Sequence, residues 1–281
     1  MRFLYCIFII CTLISCGGNK QTITTHPKPN PESEISDLIP VSVNTSDNRQ
    51  REINAIYEKF NQNTAKRNLA PHQLWNELLE NHVSTEGIVN YKGFKNDHDK
   101  LLGYIRVLHL TIPKDNTSIK HKLAYWINAY NAFTVDLILR HYPLKSIKDI
   151  KDPWKQRYWK LGDKWYDLDK IEHDVLRKMN EPRIHFAINC ASVSCPKLQN
   201  KAFTSEHLEE QLTKATEDFI NNTTKNQISN NQIKLSKLFL WFGKDFKQGG
   251  SLIDFLNTYS HVKISEEVKK SFLNYNWDLN E

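Results

Sequence analysis

Two cysteines, two histidines, a glutamate and three asparagines carry most of the chemistry open to this sequence. Cys190 and Cys195 frame the stretch Asn189-Cys190-Ala191-Ser192-Val193-Ser194-Cys195-Pro196. A pair so spaced can close a small loop as a disulfide if the chain turns between them. Cys190 can instead act as a nucleophile, given a histidine base to activate the thiol. A third chemistry is zinc held by both thiols with His185 or His173, although the spacing matches no standard zinc motif. Two buried, inert thiols are the fourth. These readings are partly exclusive, because a permanent disulfide removes the nucleophile.

His185 belongs to Arg183-Ile184-His185-Phe186-Ala187-Ile188-Asn189, whose alternation predicts a strand. Period two would put Ile184, Phe186 and Ile188 on a core face and His185, Ala187 and Asn189 on a more polar one. A Cys190–His185 dyad then requires the chain to turn after Asn189. His173 is an equally available base. It follows Asp169-Lys170-Ile171-Glu172, which reads as a helix start of capping-box type and gives Glu172 a structural task beside any catalytic one. In a first helical turn the positive end of the dipole favours a neutral imidazole, usable as a base or a metal ligand. Asn128 and Asn131, in Trp126-Ile127-Asn128-Ala129-Tyr130-Asn131-Ala132, neighbour each other along a helix. Amides flanked by aromatic residues must find partners, so they fix a loop or line a cleft.

The elements that position these groups are mainly helical. Apolar spacing of three and four predicts a helix opened by Pro71 with Leu74, Trp75, Leu78 and Leu79. Another follows Phe94 and ends before Pro113, and the longest runs from Ile119 to His141, stopped by Pro143. Ser205 would cap a fourth through Phe219, and a last one holds Leu252 to Tyr259. Strands are expected at 164–168, 183–189 and 232–235, with 87–91 a weaker candidate. The closing Asn274-Tyr275-Asn276-Trp277-Asp278-Leu279-Asn280 reads as a tail docked on the domain surface. The fold class is α+β: a mainly helical single domain with a small β-sheet.

The chain begins as a targeting segment. Arg2 precedes the apolar run Phe3 to Ile14, too short for a bilayer of roughly 30 Å. Leu13-Ile14-Ser15-Cys16 resembles a lipobox, so residues 1–15 are expected to be a lipoprotein signal peptide and Cys16 the lipidation site. Residues 16–48, with Pro27, Pro29, Pro31 and Pro40 among polar residues, read as a disordered tether. Residues 49–281 are the globular domain, with its core at about 69–280. Gly17 after the anchor points to the outer rather than the inner membrane, with the domain facing the periplasm or exterior. The formal charge of +6 is dispersed, which argues against nucleic acid as a partner. Of the five cysteines, Cys6 and Cys11 leave with the signal and Cys16 is lipidated. Cys190 and Cys195 would then meet an oxidising compartment, which favours their pairing.

These clusters, in this order, resemble the bacterial branch of the domain-of-unknown-function family numbered 547. The matching stretches are Gly87-Ile88-Val89-Asn90-Tyr91, Trp126 to Ala132, Leu168 to Arg177, Arg183 to Leu198, Leu235 to Phe246 and Tyr275 to Asn280. The resemblance implies a largely helical domain, often carried as a bacterial lipoprotein, and no activity. The family pattern usually has Asp where this chain has Asn90, which could replace it as an acceptor but not as an acid or base. The plant branch often lacks the two cysteines, which raises the standing of Glu172, His173, Asn128 and Asn131.

Two functions follow as expectations. One is a membrane-anchored module binding an envelope ligand or protein partner, with Asn128, Asn131 and Asn189 binding or orienting. The other is a thiol-dependent hydrolase or acyl-transferase using Cys190 with His173 or His185. No cofactor is expected apart from the zinc alternative.

Overall fold

A computed structural model of the chain describes residues 72–281 and, before them, only Ala55. The expected signal peptide, Cys16 and the tether lie outside the described residues, as does Pro71.

Chain order gives α1 (Gln73–His82), α2 (Tyr91–Asn96), α3 (His98–Leu110) and α4 (Ile119–His141). The β1–β2 hairpin (Trp159–Leu161, Lys164–Tyr166) follows, then a π-helical turn at Lys170–Val175 and a short helix α5 (Ile184–Ala187). The remainder is α6 (Leu208–Ile220), β3 (Gln227–Ile228), β4 (Gln232–Leu235), α7 (Leu238–Trp241), α8 (Leu252–Tyr259) and β5 (Lys269–Phe272). β3 and β4 pair antiparallel, and β4 and β5 parallel with Ile233 opposite Lys270. This is the α+β, mainly helical fold that the periodicity predicts, with its strands divided between two small sheets.

α4 organises the domain. Ser118 caps its first turn by accepting from the His121 N–H, and every residue from Leu123 to Leu139 is buried. A helix covered on all sides becomes the axis of a core rather than one wall of it. α1 and α3 pack nearby, with Trp75 stacked on Tyr104 at 5.7 Å. The β1–β2 hairpin packs against both α3 and α4: the Lys160 carbonyl meets His109 at 3.0 Å, and Trp159 stacks on Phe133 at 4.4 Å and donates its indole N–H to Asp136 at 2.7 Å. Asp136 also takes Arg140 and His98, each at 2.8 Å. Although burial alone would raise that carboxyl, Arg140 and the His98 hydrogen bond hold it at about 2. A second core forms where α6, α7 and α8 meet β4. Among the described residues no helix is long and apolar enough to cross a membrane.

Four local expectations change. The predicted strand at 183–189 is a helical turn, because its apolar residues serve two cores: Ile184 and Ile188 enter the first, while Phe186 reaches the second. Tertiary packing overrides the alternation there. Asp169 caps nothing. Asp167 Oδ1 instead accepts the Lys170 N–H at 2.7 Å, and Glu172 turns inward. Ser205 does not cap α6; its hydroxyl contacts His121 and Glu206, and Thr204 Oγ1 accepts the His207 N–H. The candidate strand at 87–91 reduces to one bridge between Val83 and Val89.

Candidate functional site

The chain leaves α5 extended and turns sharply at the first cysteine. Ala191 adopts φ of +56°, a left-handed conformation that costs a residue with a Cβ about 1 kcal/mol. Hydrogen bonds hold it there. Asn189 accepts the Ala191 N–H at 2.8 Å and donates to the Pro196 carbonyl at 2.7 Å, bridging both ends of the cysteine loop. Asn131, from α4, donates to the Ala187 carbonyl and accepts the Asn189 N–H, both at 2.9 Å. Asn128 grips Phe203 in the same two-point manner, at 2.7 and 3.0 Å. All three amides are therefore occupied with backbone: Asn131 and Asn189 orient the cysteine loop, and Asn128 fixes the segment at Phe203.

The turn needed after Asn189 is present, and it brings the cysteines together. Both are free thiols. The Cys190 N–H donates to Cys195 Sγ at 3.0 Å. Cys190 Sγ lies 3.1 Å from Ser192 Oγ and 3.3 Å from Tyr275 Oη. A hydrogen bond from Cys195 does most to pull the Cys190 thiol down to about 7. Burial opposes this, and the Ser192 and Tyr275 hydroxyls reinforce it. Burial and the neighbouring Cys190 push Cys195 the other way. Cys190 is half-buried and Cys195 buried, so their exposure and their acidity both differ.

Tyr275 comes from the closing tail, whose role goes beyond surface docking. The Val193 N–H donates to Asp278 and the Ser194 N–H to Asn276, at 2.8 and 3.1 Å, so the tail pairs with the cysteine loop itself. Its end is tied to Val89 and Tyr91 through Asn280. The side chain of Asn90 accepts the Gly93 N–H at 2.8 Å, an acceptor's task that the amide performs.

Cys190 and Cys195 line a cleft of about 810 Å³ together with Tyr130, Glu172, His173, Arg177 and His185. Trp154, Trp241, Phe242 and Trp277 give it aromatic walls, and Lys148, Lys151 and Lys155 add positive charge. Glu172 is 7 % exposed and accepts a hydrogen bond from Tyr130 at 3.2 Å. Burial raises its carboxyl to about 7, with the Cys190 charge adding to the shift against the Tyr130 bond.

The two histidines have different surroundings. His173 Nδ1 accepts from Arg177 at 3.0 Å, which uses its lone pair. His185 Nε2 pairs with Asp245 at 2.8 Å, and Phe242 stacks on the ring at 4.0 Å. His185 Nδ1 is buried without a hydrogen-bond partner. Burial disfavours its imidazolium, and Asp245 only partly compensates. Arg177 clamps the same Asp245 carboxylate at 2.6 and 2.9 Å. Although burial would raise Asp245, His185 and Arg177 hold it far below the usual carboxylate range. His185 thus retains a basic nitrogen and His173 does not, and neither hydrogen-bonds to Cys190.

The structure brings Cys190, Cys195, Glu172, His173 and His185 to one cleft. It places Asn128, Asn131 and Asn189 behind it as supports. Tyr130, Tyr275, Arg177 and Asp245 escape the sequence reading as site residues; Arg177 alone had a local signal, standing one helical turn after His173.

The family model DUF547, a protein of unknown function, matches residues 114–220. The DUF547 match takes in α4 with both of its asparagines, the Glu172–His173 turn, the cysteine loop and α6. Asp245 and Tyr275 lie beyond it, so the cleft draws on chain outside the matched segment. No curated protein and no solved structure matches the chain. Among the described residues no group of three or more His, Cys, Asp or Glu is arranged to hold a metal ion, and the zinc alternative gains no support.

Proposed function

We propose that this chain is a thiol-dependent enzyme whose cleft binds a ligand beside Cys190, and that Cys190 attacks it. The observation that carries the reading is the setting of that sulfur. It stands on a left-handed turn at the edge of an aromatic-walled cavity, ringed by a second thiol and two hydroxyls. A thiol at about 7 is half thiolate at neutral pH, and the thiolate is the nucleophile. Acyl transfer by Cys190 would use His185 as the base, since Asp245 orients that ring and its Nδ1 is uncommitted. The test is competition for iodoacetamide at pH 7, with Cys190 followed by peptide mapping. Cys190 should react a few-fold faster than glutathione, because its larger thiolate fraction outweighs the lower nucleophilicity of a more acidic thiol. A Cys190 labelled only after unfolding would refute the proposal.

A second reading, a non-catalytic binding module, draws on the absence of any histidine hydrogen bond to Cys190 among the described residues. It predicts that Cys190→Ser keeps the cellular role of the protein if the fold survives.

The address belongs to the same proposal. Residues 1–15 act as a lipoprotein signal, Cys16 carries the lipid, and residues 16–48 hold the domain off the membrane within the envelope, at the outer membrane. The support is the lipobox-like Leu13-Ile14-Ser15-Cys16 and the polar, proline-bearing stretch that follows. Labelled palmitate should enter the wild-type chain and not a Cys16→Ala variant; equal labelling of both would remove the anchor.

A further inference from the structure

We infer that the electrophile met by Cys190 is a disulfide, and that Cys190 and Cys195 are the attacking and resolving thiols of a thiol–disulfide exchange centre. The inference rests on Cys190 being the nucleophile and names its substrate class. Four observations carry it. A second thiol stands beside Cys190, its sulfur accepting the Cys190 N–H at 3.0 Å, and neither His173 nor His185 hydrogen-bonds to the Cys190 sulfur, where an acyl-transfer site would place an imidazole. The two thiols line the same cleft but differ in access: Cys190 is half-buried and Cys195 is buried. The loop between them is pinned at both ends by Asn189 and bent at Ala191, which keeps the thiols within reach without a rigid element between them. The cavity is large enough for a peptide segment, with tryptophan walls suited to the apolar surroundings of a cystine.

The chemistry balances on these groups. The Cys190 thiolate attacks one sulfur of the substrate disulfide; a Cys190–substrate disulfide forms, the substrate S–S bond breaks, and one substrate thiolate leaves. Cys195 then gives its proton to the Glu172 carboxylate and attacks Cys190 Sγ. The Cys190–Cys195 bond forms, and the second substrate thiolate departs, taking the proton back from Glu172. The substrate is reduced by two electrons and the protein dithiol oxidised by two; an external dithiol returns it to the starting state. Glu172 suits the proton step because it lines the same cleft as both cysteines, and burial, with the charge on Cys190 adding to it, keeps its carboxyl near 7, where it can both accept and release a proton. Tyr275 and Ser192, within 3.3 and 3.1 Å, can donate to the thiolate at the start and the end of the cycle.

The test uses the full chain, reduced and then exposed to oxidised glutathione, with the products read by peptide mapping. The wild type should pass through a Cys190–glutathione adduct to an internal Cys190–Cys195 disulfide. Cys195→Ser should stop at the adduct, and Cys190→Ser should slow modification of the remaining thiol at least about ten-fold. With dithiothreitol present, the wild type should speed the reduction of insulin disulfides, and Cys190→Ser should abolish that gain. A lasting glutathione adduct on wild-type Cys190, or no gain with insulin, would overturn the inference while leaving Cys190 a nucleophile. A Cys190 that reacts with neither glutathione disulfide nor iodoacetamide would overturn both.

Discussion

Replacing Glu172 with Gln should stabilise the protein, and by an amount that grows with pH. The carboxyl is raised from 4.5 to about 7, first by burial and then by the charge on Cys190, against the hydrogen bond from Tyr130. A carboxyl whose folded value lies above its unfolded value binds its proton more tightly in the fold. Its ionisation therefore costs stability, nothing below about pH 4.5 and the full amount above about pH 7. At about 1.4 kcal/mol per unit, the penalty approaches roughly 3 kcal/mol. Glutamine keeps the shape, never ionises and can still accept from Tyr130. Its melting temperature should exceed that of the wild type by on the order of 5–10 °C at pH 8, with the difference closing by pH 4.5. Thermal unfolding of both proteins across that range measures it. A difference that is flat with pH, or a variant less stable at pH 8, would refute the account of Glu172 as a strained ionisable group. Residues at active sites commonly carry such a cost for function.

Two further outcomes follow. Asn131→Ala leaves the Ala187 carbonyl and the Asn189 N–H buried and unpaired, and should cost about 2–4 kcal/mol in denaturant unfolding while slowing Cys190 alkylation. Asp136, held at about 2 by Arg140 and His98 despite its burial, contributes stability that is complete above about pH 4 and lost as the pH falls towards 2. Asp136→Asn should therefore cost roughly 2–3 kcal/mol at pH 7, and the gap to the wild type should vanish near pH 2.

The sequence reads well where a signal is local. Periodicity with Pro143 as the stop predicts Ile119 to His141, and α4 takes that span, with Ser118 as its cap. Leu252 to Tyr259 is equally plain, with Ser251 and Asp254 forming the capping box. Arg183 to Asn189 misleads because alternation assumes one core, and here consecutive apolar residues enter two. Glu172 misleads for a related reason: a Glu three residues after an Asp reads as a cap, and burial turned it inward instead. The cysteines could be paired by spacing, and the need for a turn after Asn189 was visible. Tyr130, Asp245 and Tyr275 could not be placed, since only the folded chain sets Tyr130 and Tyr275 in the cleft wall and Asp245 on His185. The asparagines illustrate the same limit. That Asn128 and Asn131 must find partners follows from their setting, but the identity of Phe203, Ala187 and Asn189 as those partners is tertiary information.

The central claim is that Cys190 is a reactive thiol at neutral pH, and its ionisation curve tests that claim most directly. The rate of iodoacetamide alkylation is followed on the Cys190 peptide of the native, reduced protein from pH 5 to 10. The midpoint should lie near 7 and rise in Cys195→Ala, which removes the hydrogen bond that contributes most to the lowering. A midpoint at or above 9, the ordinary value for the group, or a Cys190 that stays unlabelled until the protein unfolds, would contradict it.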